Sequence, residues 1–190
     1  KNIMYISHCP LRISLFGGST DNPHFVKKYG YGSVISFASN LKTYVILSRD
    51  LFGVTNLDHK YRLNYSKRED VSNINEIKNE VIRTVLEYFD IDPVQLNLLG
   101  DAYSQGSGLA SSSSYTISII KSICMMFDKK MSDVEICSLA YELELKYNPY
   151  CGYQDPYGCG VGGFKRIEFY PKDRVTYDFL PSSFFDEYDI

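Results

Sequence analysis

Gly106-Ser107-Gly108-Leu109-Ala110-Ser111-Ser112-Ser113-Ser114 is the stretch on which the reading of this chain turns. It follows an alternating run, Val94 to Leu99, that reads as a half-buried strand with Val94, Leu96 and Leu98 on one face. It opens into a sequence that predicts a helix from about Ser112 to Phe127. Small residues at such a junction let the backbone approach a ligand closely, while the free N–H groups and positive dipole of the helix start favour an anion. Phosphate is the natural occupant. No Gly-Lys-Ser/Thr occurs anywhere, so this is not a Walker A loop; Ser111 replaces the third glycine of a dinucleotide fingerprint, and no Gly-x-Ser-x-Gly elbow is present. Taken alone, the segment is equally well explained as a serine-rich turn whose hydroxyl caps the helix.

Outward from this loop, the first forty-eight residues alternate apolar and polar and predict four short strands, at Ile3 to His8, Leu11 to Phe16, Gly32 to Phe37 and Thr43 to Ser48, with the turn GGSTDNP between the second and third. Lys60 to Ser66 predicts another strand. Ile77, Val81, Ile82, Val85, Leu86 and Phe89 form one helical stripe. Ser132 and Glu135 have capping-box spacing ahead of Ile136, Leu139, Ala140 and Leu143, and Asn148-Pro149 should end that helix. GYQDPYGCGVGG reads as a glycine-rich connection, followed by a hairpin of Phe164 to Tyr170 and Arg174 to Leu180 around Pro171 to Asp173. Strands, helix, strand, two helices and strands in that order give an α+β fold, not a doubly wound sheet.

The 190 residues, 44% of them hydrophobic, can support one sizeable core, and with 23% charged the chain is not disordered. A net charge of -3 lacks the basic excess of a phosphate-backbone binder, which excludes nucleic acid as a first reading. No apolar run approaches the ~18 residues of a membrane span, and the N-terminus has no signal-peptide core, so a cytoplasmic location with no membrane partner is expected. Five cysteines without a CxxC pair read as free thiols, and His8, His24 and His59 lack ligand spacing.

Two further segments carry candidate chemistry. In Pro10-Leu-Arg-Ile-Ser-Leu-Phe-Gly-Gly-Ser-Thr-Asp-Asn-Pro23, Arg12 lies inside an apolar strand, where a charge is costly unless it meets an acid or faces a cleft. Acids are supplied by Asp155, in Gly152-Tyr-Gln-Asp-Pro, and by Glu144, at the margin of a helix's buried face.

These three segments, in this order, resemble the motifs of the GHMP kinases, the family of galactokinase, homoserine kinase, mevalonate kinase and phosphomevalonate kinase. Within it the GGxTD turn, the QDxY segment, GGF before a strand, and YRLNYS leading into IKNEVIR are most similar to heptose-phosphate kinases. This chain departs in having Ser19 where those kinases usually have a third glycine, and Pro156 after Asp155. The resemblance implies the family's N-terminal domain (ribosomal protein S5 domain 2-like), a mixed sheet with helices on one side, over residues 1–180. Residues 181–190 would begin the link to a largely missing C-terminal domain.

The same resemblance implies an ATP-dependent kinase of a sugar or sugar phosphate, with the anomeric hydroxyl of a heptose 7-phosphate as acceptor, Mg²⁺ as cofactor and a homodimer allowed for. Its phosphates would lie against Gly106, Ser107, Gly108, Leu109, Ala110, Ser111, Ser112 and Ser113. Ser112 and Glu144 would hold the metal, Asp155 would take the hydroxyl proton, and Arg12 would keep Asp155 ionised and neutralise the phosphoryl group. Gly17, Gly18, Thr20, Asp21, Gln154 and Tyr157 would contact the sugar. The alternatives are another small-molecule kinase of the family, a non-catalytic sugar or nucleotide sensor, and a phosphate-loop hydrolase.

Overall fold

A computed structural model describes residues 4–49, 60–102, 107–183 and 185. Its spine is a pair of long antiparallel strands, β1 (Met4–Phe16) and β2 (Gly32–Ser48). The four short strands expected here are thus two long ones. Pro10 breaks the ladder without turning the chain: pairing jumps from Pro10 opposite Lys42 to Arg12 opposite Ala38, a bulge at the residue that has no N–H to donate. Between the two strands, α1 (Pro23–Tyr29) occupies what reads as a plain turn. Its signals are local: Asn22 accepts the His24 amide, Pro23 stands at the start, and Gly30 at φ 78° closes the end.

Each half of β2 has β1 as one neighbour. The other is β6 (Phe164–Tyr170) along Gly32 to Phe37, and β5 (Gln95–Gly100) along Thr43 to Ser48. Beyond β5 lie β3 (Tyr61–Asn64), parallel to it, and β4 (Arg68–Val71), which the alternation does not reveal; beyond β6 lies its hairpin partner β7 (Arg174–Phe179). The sheet is mixed, in the order β4-β3-β5-β2-β6-β7 with β1 paired to β2.

Four helices complete the fold: α2 (Glu80–Phe89), α3 (Ser111–Met126), α4 (Asp133–Glu144) and α5 (Gln154–Gly160). Ser7, Cys9 and Leu11 of β1 and Thr43, Val45 and Leu47 of β2 are buried beneath them, whereas Met4, Ile6 and Leu99 on the opposite face are exposed. The central helix, α3, is enclosed on nearly all sides, and serines at a four-residue spacing fasten it to the sheet. Ser114 bonds Thr43 and the Cys9 carbonyl, the Ser118 carbonyl accepts from Ser7, and Ser122 pairs with the Ser7 hydroxyl, all at 2.6 to 3.0 Å. At about 1 kcal/mol net per bond, and more for any group left unpaired, this stripe fixes the helix against sliding along its axis.

α4 begins with the expected capping box of Ser132 and Glu135 but ends at Glu144 rather than at Asn148-Pro149, the chain continuing in turns. α5 is the larger surprise, because its glycines read as a loop. Pro156 lies in the first turn, where its missing N–H is not needed, and Gly158 and Gly160 are required by packing: a Cβ at Gly158 would meet Arg12 Cγ at 2.9 Å, and one at Gly160 would overlap Cys137 Sγ.

Candidate active site

Arg12 and Asp155, 143 residues apart, meet where β1 passes the first turn of α5. Arg12 Nε and Nη2 donate to Asp155 Oδ1 at 3.0 and 2.5 Å, while Nη1 donates to the Gly108 carbonyl at 2.7 Å. One side chain therefore joins the carboxylate to the glycine-serine loop. The backbone repeats the link, since the Arg12 amide donates to the Leu109 carbonyl at 3.2 Å. Gly158, which sequence reasoning passed over, provides the bare surface on which the Arg12 stem lies. Behind it, fully buried Lys165 donates to the carbonyls of Gly158 at 3.0 Å, Gly162 at 2.7 Å and Gly163 at 3.4 Å, closing the end of α5. Burial lowers the Lys165 pKa from 10.5 to about 8.

Gly106 lies outside the described residues. From Ser107 onward the loop leads to Ala110, in the left-handed region at φ 62°, which starts α3 without any side-chain cap. The first helical bond is from Ser114 to Ala110, so the amides of Ser111, Ser112 and Ser113 have no intrahelical acceptor. Ser111 is 7% exposed, and among the described residues its hydroxyl is the one buried side-chain oxygen or nitrogen without a hydrogen-bond partner. Ser113 Oγ donates to Glu144 Oε2 at 2.5 Å, and Ser112 Oγ pairs with the Tyr147 hydroxyl at 3.0 Å. Of the two residues expected to hold a metal, Glu144 therefore has Ser113 as its hydroxyl partner, while Ser112, the adjacent position 100° round the helix, pairs with Tyr147. Burial raises the Glu144 pKa and pushes the Tyr147 phenol up to about 12.

The expected sugar-contacting residues divide. Gly17 turns at φ 84° directly against the Ser33 carbonyl, where a Cβ would overlap it, whereas Gly18 is open. Thr20 is a tie within the turn: its hydroxyl bonds the carbonyls of Gly17 and Ser33 at 2.7 and 2.9 Å and accepts the Ser33 amide. Asp21, 3% exposed, accepts the Gln154 amide on Oδ2 and the Gln154 side chain on Oδ1, each at 3.1 Å, and burial raises its pKa. Its carboxylate is committed to holding the start of α5 and not turned out to a ligand. Gln154, fixed also by Ser14 at 3.1 Å, is partly exposed, as is Thr20. Tyr157 is a correction: it is 6% exposed and buried in a core cluster with Val26, Val34, Tyr141 and Tyr153, because it lies on the inner face of α5.

Next to the α3 mouth is a cavity of about 600 Å³, within the range of small-ligand sites. Ser111, Ser112, Tyr115 and Tyr147 line one side; Tyr65, Lys78 and Asn79 line the other. Sequence reasoning missed the second side, because its residues come from a strand end and a helix entry that are brought together only in the fold.

Residues 73–163 match the profile of the GHMP kinases N terminal domain, a span that includes the loop, Glu144 and Asp155. Over that span the chain is similar to the N-terminal domain of the GHMP kinases. It is similar to the D-glycero-alpha-D-manno-heptose 7-phosphate kinase of Campylobacter jejuni, 30% identical over 175 residues that cover 87% of this chain and 51% of the relative. The chain therefore spans about half the length of that curated relative. A solved D-glycero-D-manno-heptose 1-phosphate kinase from Bacteroides thetaiotaomicron shares the fold at TM-score 0.79 and 25% identity, covering 93% of this chain and 60% of its own. The mevalonate kinase of Methanococcus jannaschii has the same fold at TM-score 0.68 and 24% identity, covering 95% and 57%. Arg12 lies outside the matched span, while both of its side-chain partners, Gly108 and Asp155, lie within it. Among the described residues no helix is long and apolar enough to cross a membrane.

Proposed function

We propose that this domain binds ATP with its phosphates on the loop from Ser107 to Ser113 and serves transfer of the γ-phosphoryl group to a hydroxyl of a sugar phosphate, of the heptose phosphate class. The observation that carries the reading is the position of Arg12, bonded at once to Asp155 and to the Gly108 carbonyl. A phosphate held by the α3 amides then lies beside a guanidinium and within reach of a carboxylate. Phosphoryl transfer needs little covalent help from the protein and depends on positioning and charge, which is what these groups provide.

Asp155 is the base in this reading. Both Arg12 bonds fall on Oδ1, which leaves Oδ2 to accept the proton of an attacking hydroxyl. Gln154, oriented by Asp21 and Ser14, contributes its amide to the sugar. Ser113 and Glu144 offer the hard hydroxyl and carboxylate oxygens that suit Mg²⁺, which when bound would neutralise phosphate charge. The heptose assignment rests on the relatives alone.

The test is ATP consumption by the whole protein against a panel of heptose 7-phosphate, heptose 1-phosphate, galactose, mevalonate and homoserine. ADP formed together with a doubly phosphorylated heptose is the expected result. Turnover of a different acceptor would move the substrate within the family. Nucleotide binding without transfer to any acceptor would make the domain a sensor, and acceptor-independent release of phosphate would make it a hydrolase.

A further inference from the structure

The far wall of the cavity depends on one buried carboxylate that does not itself line it. Glu69, on β4, is 8% exposed. Its Oε1 accepts the Tyr65 hydroxyl at 2.7 Å and the Asn79 amide at 3.1 Å, and its Oε2 accepts the Lys78 amide at 2.8 Å. Tyr65, Lys78 and Asn79 all line the cavity. Tyr65 follows β3, whereas Lys78 and Asn79 lead into α2, where the Asn79 side chain caps the helix by accepting the Ile82 amide at 3.1 Å. Two segments of wall that share no strand or helix are thus held at fixed spacing by a single group. The bonds have the expected electrostatic signature: three donors hold the Glu69 carboxyl below its ordinary pKa despite burial, and the Tyr65 phenol is pushed up to about 12 and stays a donor.

We infer that Glu69 is a positioning residue for nucleotide recognition, setting the distance between Tyr65 and the α2 entry so that this end of the cavity admits the nucleoside. The inference rests on the proposal that the loop from Ser107 to Ser113 holds the phosphates of ATP, because Ser111 and Ser112 of that loop also line the cavity. The division within the cavity follows from its lining. Free amides and a buried unpartnered hydroxyl at the α3 end suit phosphates, and the rings of Tyr65 and Tyr115 suit a flat heteroaromatic base. A carboxylate accepting three bonds cannot be replaced by its amide without setting an N–H₂ against one of the donors, so Glu69→Gln breaks the tie with little change in volume. Tyr65→Phe removes only the hydroxyl.

The experiment compares calorimetric binding of ATP and of inorganic tripolyphosphate to the whole protein, Glu69→Gln, Tyr65→Phe and the double variant, with melting temperatures alongside. ATP affinity should fall about 10-fold for Glu69→Gln and about 3-fold for Tyr65→Phe, a fraction of what the lost charge-assisted bonds contribute to the fold. Tripolyphosphate affinity should not change, and the double variant should bind no more weakly than Glu69→Gln because both changes cut the same tie. If ATP binding is untouched in both single variants, or if ATP and tripolyphosphate weaken equally, Glu69 does no more than support the fold and the inference is overturned. Should Glu69→Gln fail to fold, Tyr65→Phe decides by the same split. A wild-type protein that binds tripolyphosphate but not ATP would instead reject the nucleotide reading, and the role of Glu69 with it.

Discussion

The two rims of the candidate site, the Arg12 side and the α3 side, differ in how far they are finished. On the Arg12 side each guanidinium nitrogen has an acceptor, and Asp21 and Gln154 satisfy each other. On the α3 side a helix begins without a cap, with a buried hydroxyl lacking a partner. The first rim has met the cost of ordering charged groups within the fold itself. The second leaves donors whose satisfaction must come from outside, so its stability should depend on ligand while that of the first should not. In the proposed reading, preorganisation serves the chemistry and incompleteness serves binding.

That contrast is broken most severely at Asp155. Asp155→Asn keeps the size and removes the charge, so turnover should fall by ~10² to 10⁴ with ATP and sugar affinities nearly unchanged. Steady-state kinetics of the whole enzyme measure it, and a variant retaining most of its turnover would take Asp155 out of the mechanism. Arg12→Met should lower kcat as well, and in the double variant the losses should not add, since Arg12 acts largely through the carboxylate it holds. Strict additivity would separate the pair.

Gly158→Ala tests the finished rim without touching a polar group. Its methyl would stand 2.9 Å from Arg12 Cγ and displace the guanidinium, and a misplacement of this order costs about 10- to 100-fold in rate. An unchanged kcat would show that Arg12 adapts. On the unfinished rim, Gly108→Val should weaken nucleotide binding about 10-fold, because φ 68° is unfavourable for a β-branched residue. Isothermal titration against ATP checks this, and equal affinity in a folded variant would place the phosphates elsewhere.

The smallest effect concerns Lys165. Its pKa in the folded protein, about 8, lies below the ordinary 10.5, so between these values the unfolded chain holds a proton that the folded one has released. Stability should therefore rise with pH across that window, while below it the full cost of burying the charge persists. Lys165→Met should flatten the rise seen in urea denaturation. A slope identical in variant and wild type would assign it to other groups.

Much of this architecture was legible in the residues. The alternation of β5, β6 and β7, the stripe of α2 and the capping box of α4 are written in local periodicity, which the fold obeys because one face of each is buried. The glycine-rich helix α5 was not, since its glycines report contacts with Arg12 and Cys137, far away in the chain. β4 is too short to show a period, and α1 was hidden by reading Asn22-Pro23 as turn chemistry when it is equally a helix start. For the candidate site, the residues singled out by type, Arg12, Asp155 and the serine loop, do converge. What sequence could not give was direction. Tyr157 points into the core, Asp21 is held by Gln154, and Glu144 faces Ser113 instead of Ser112.

The distance along the chain between the two rims has a consequence for how the molecule is built. Ser113 and Glu144 are separated by 31 residues, Arg12 and Asp155 by 143. Closing the longer loop costs about 1 kcal/mol more in chain entropy than closing the shorter one, by a logarithmic law. The α3–α4 hairpin can therefore assemble from its own sequence neighbours, whereas β1 must return from the N-terminus to meet α5. On chain entropy alone the ordering of events should run opposite to the ordering of polar satisfaction, the rim with open donors taking shape before the ion pair of Arg12 and Asp155 closes.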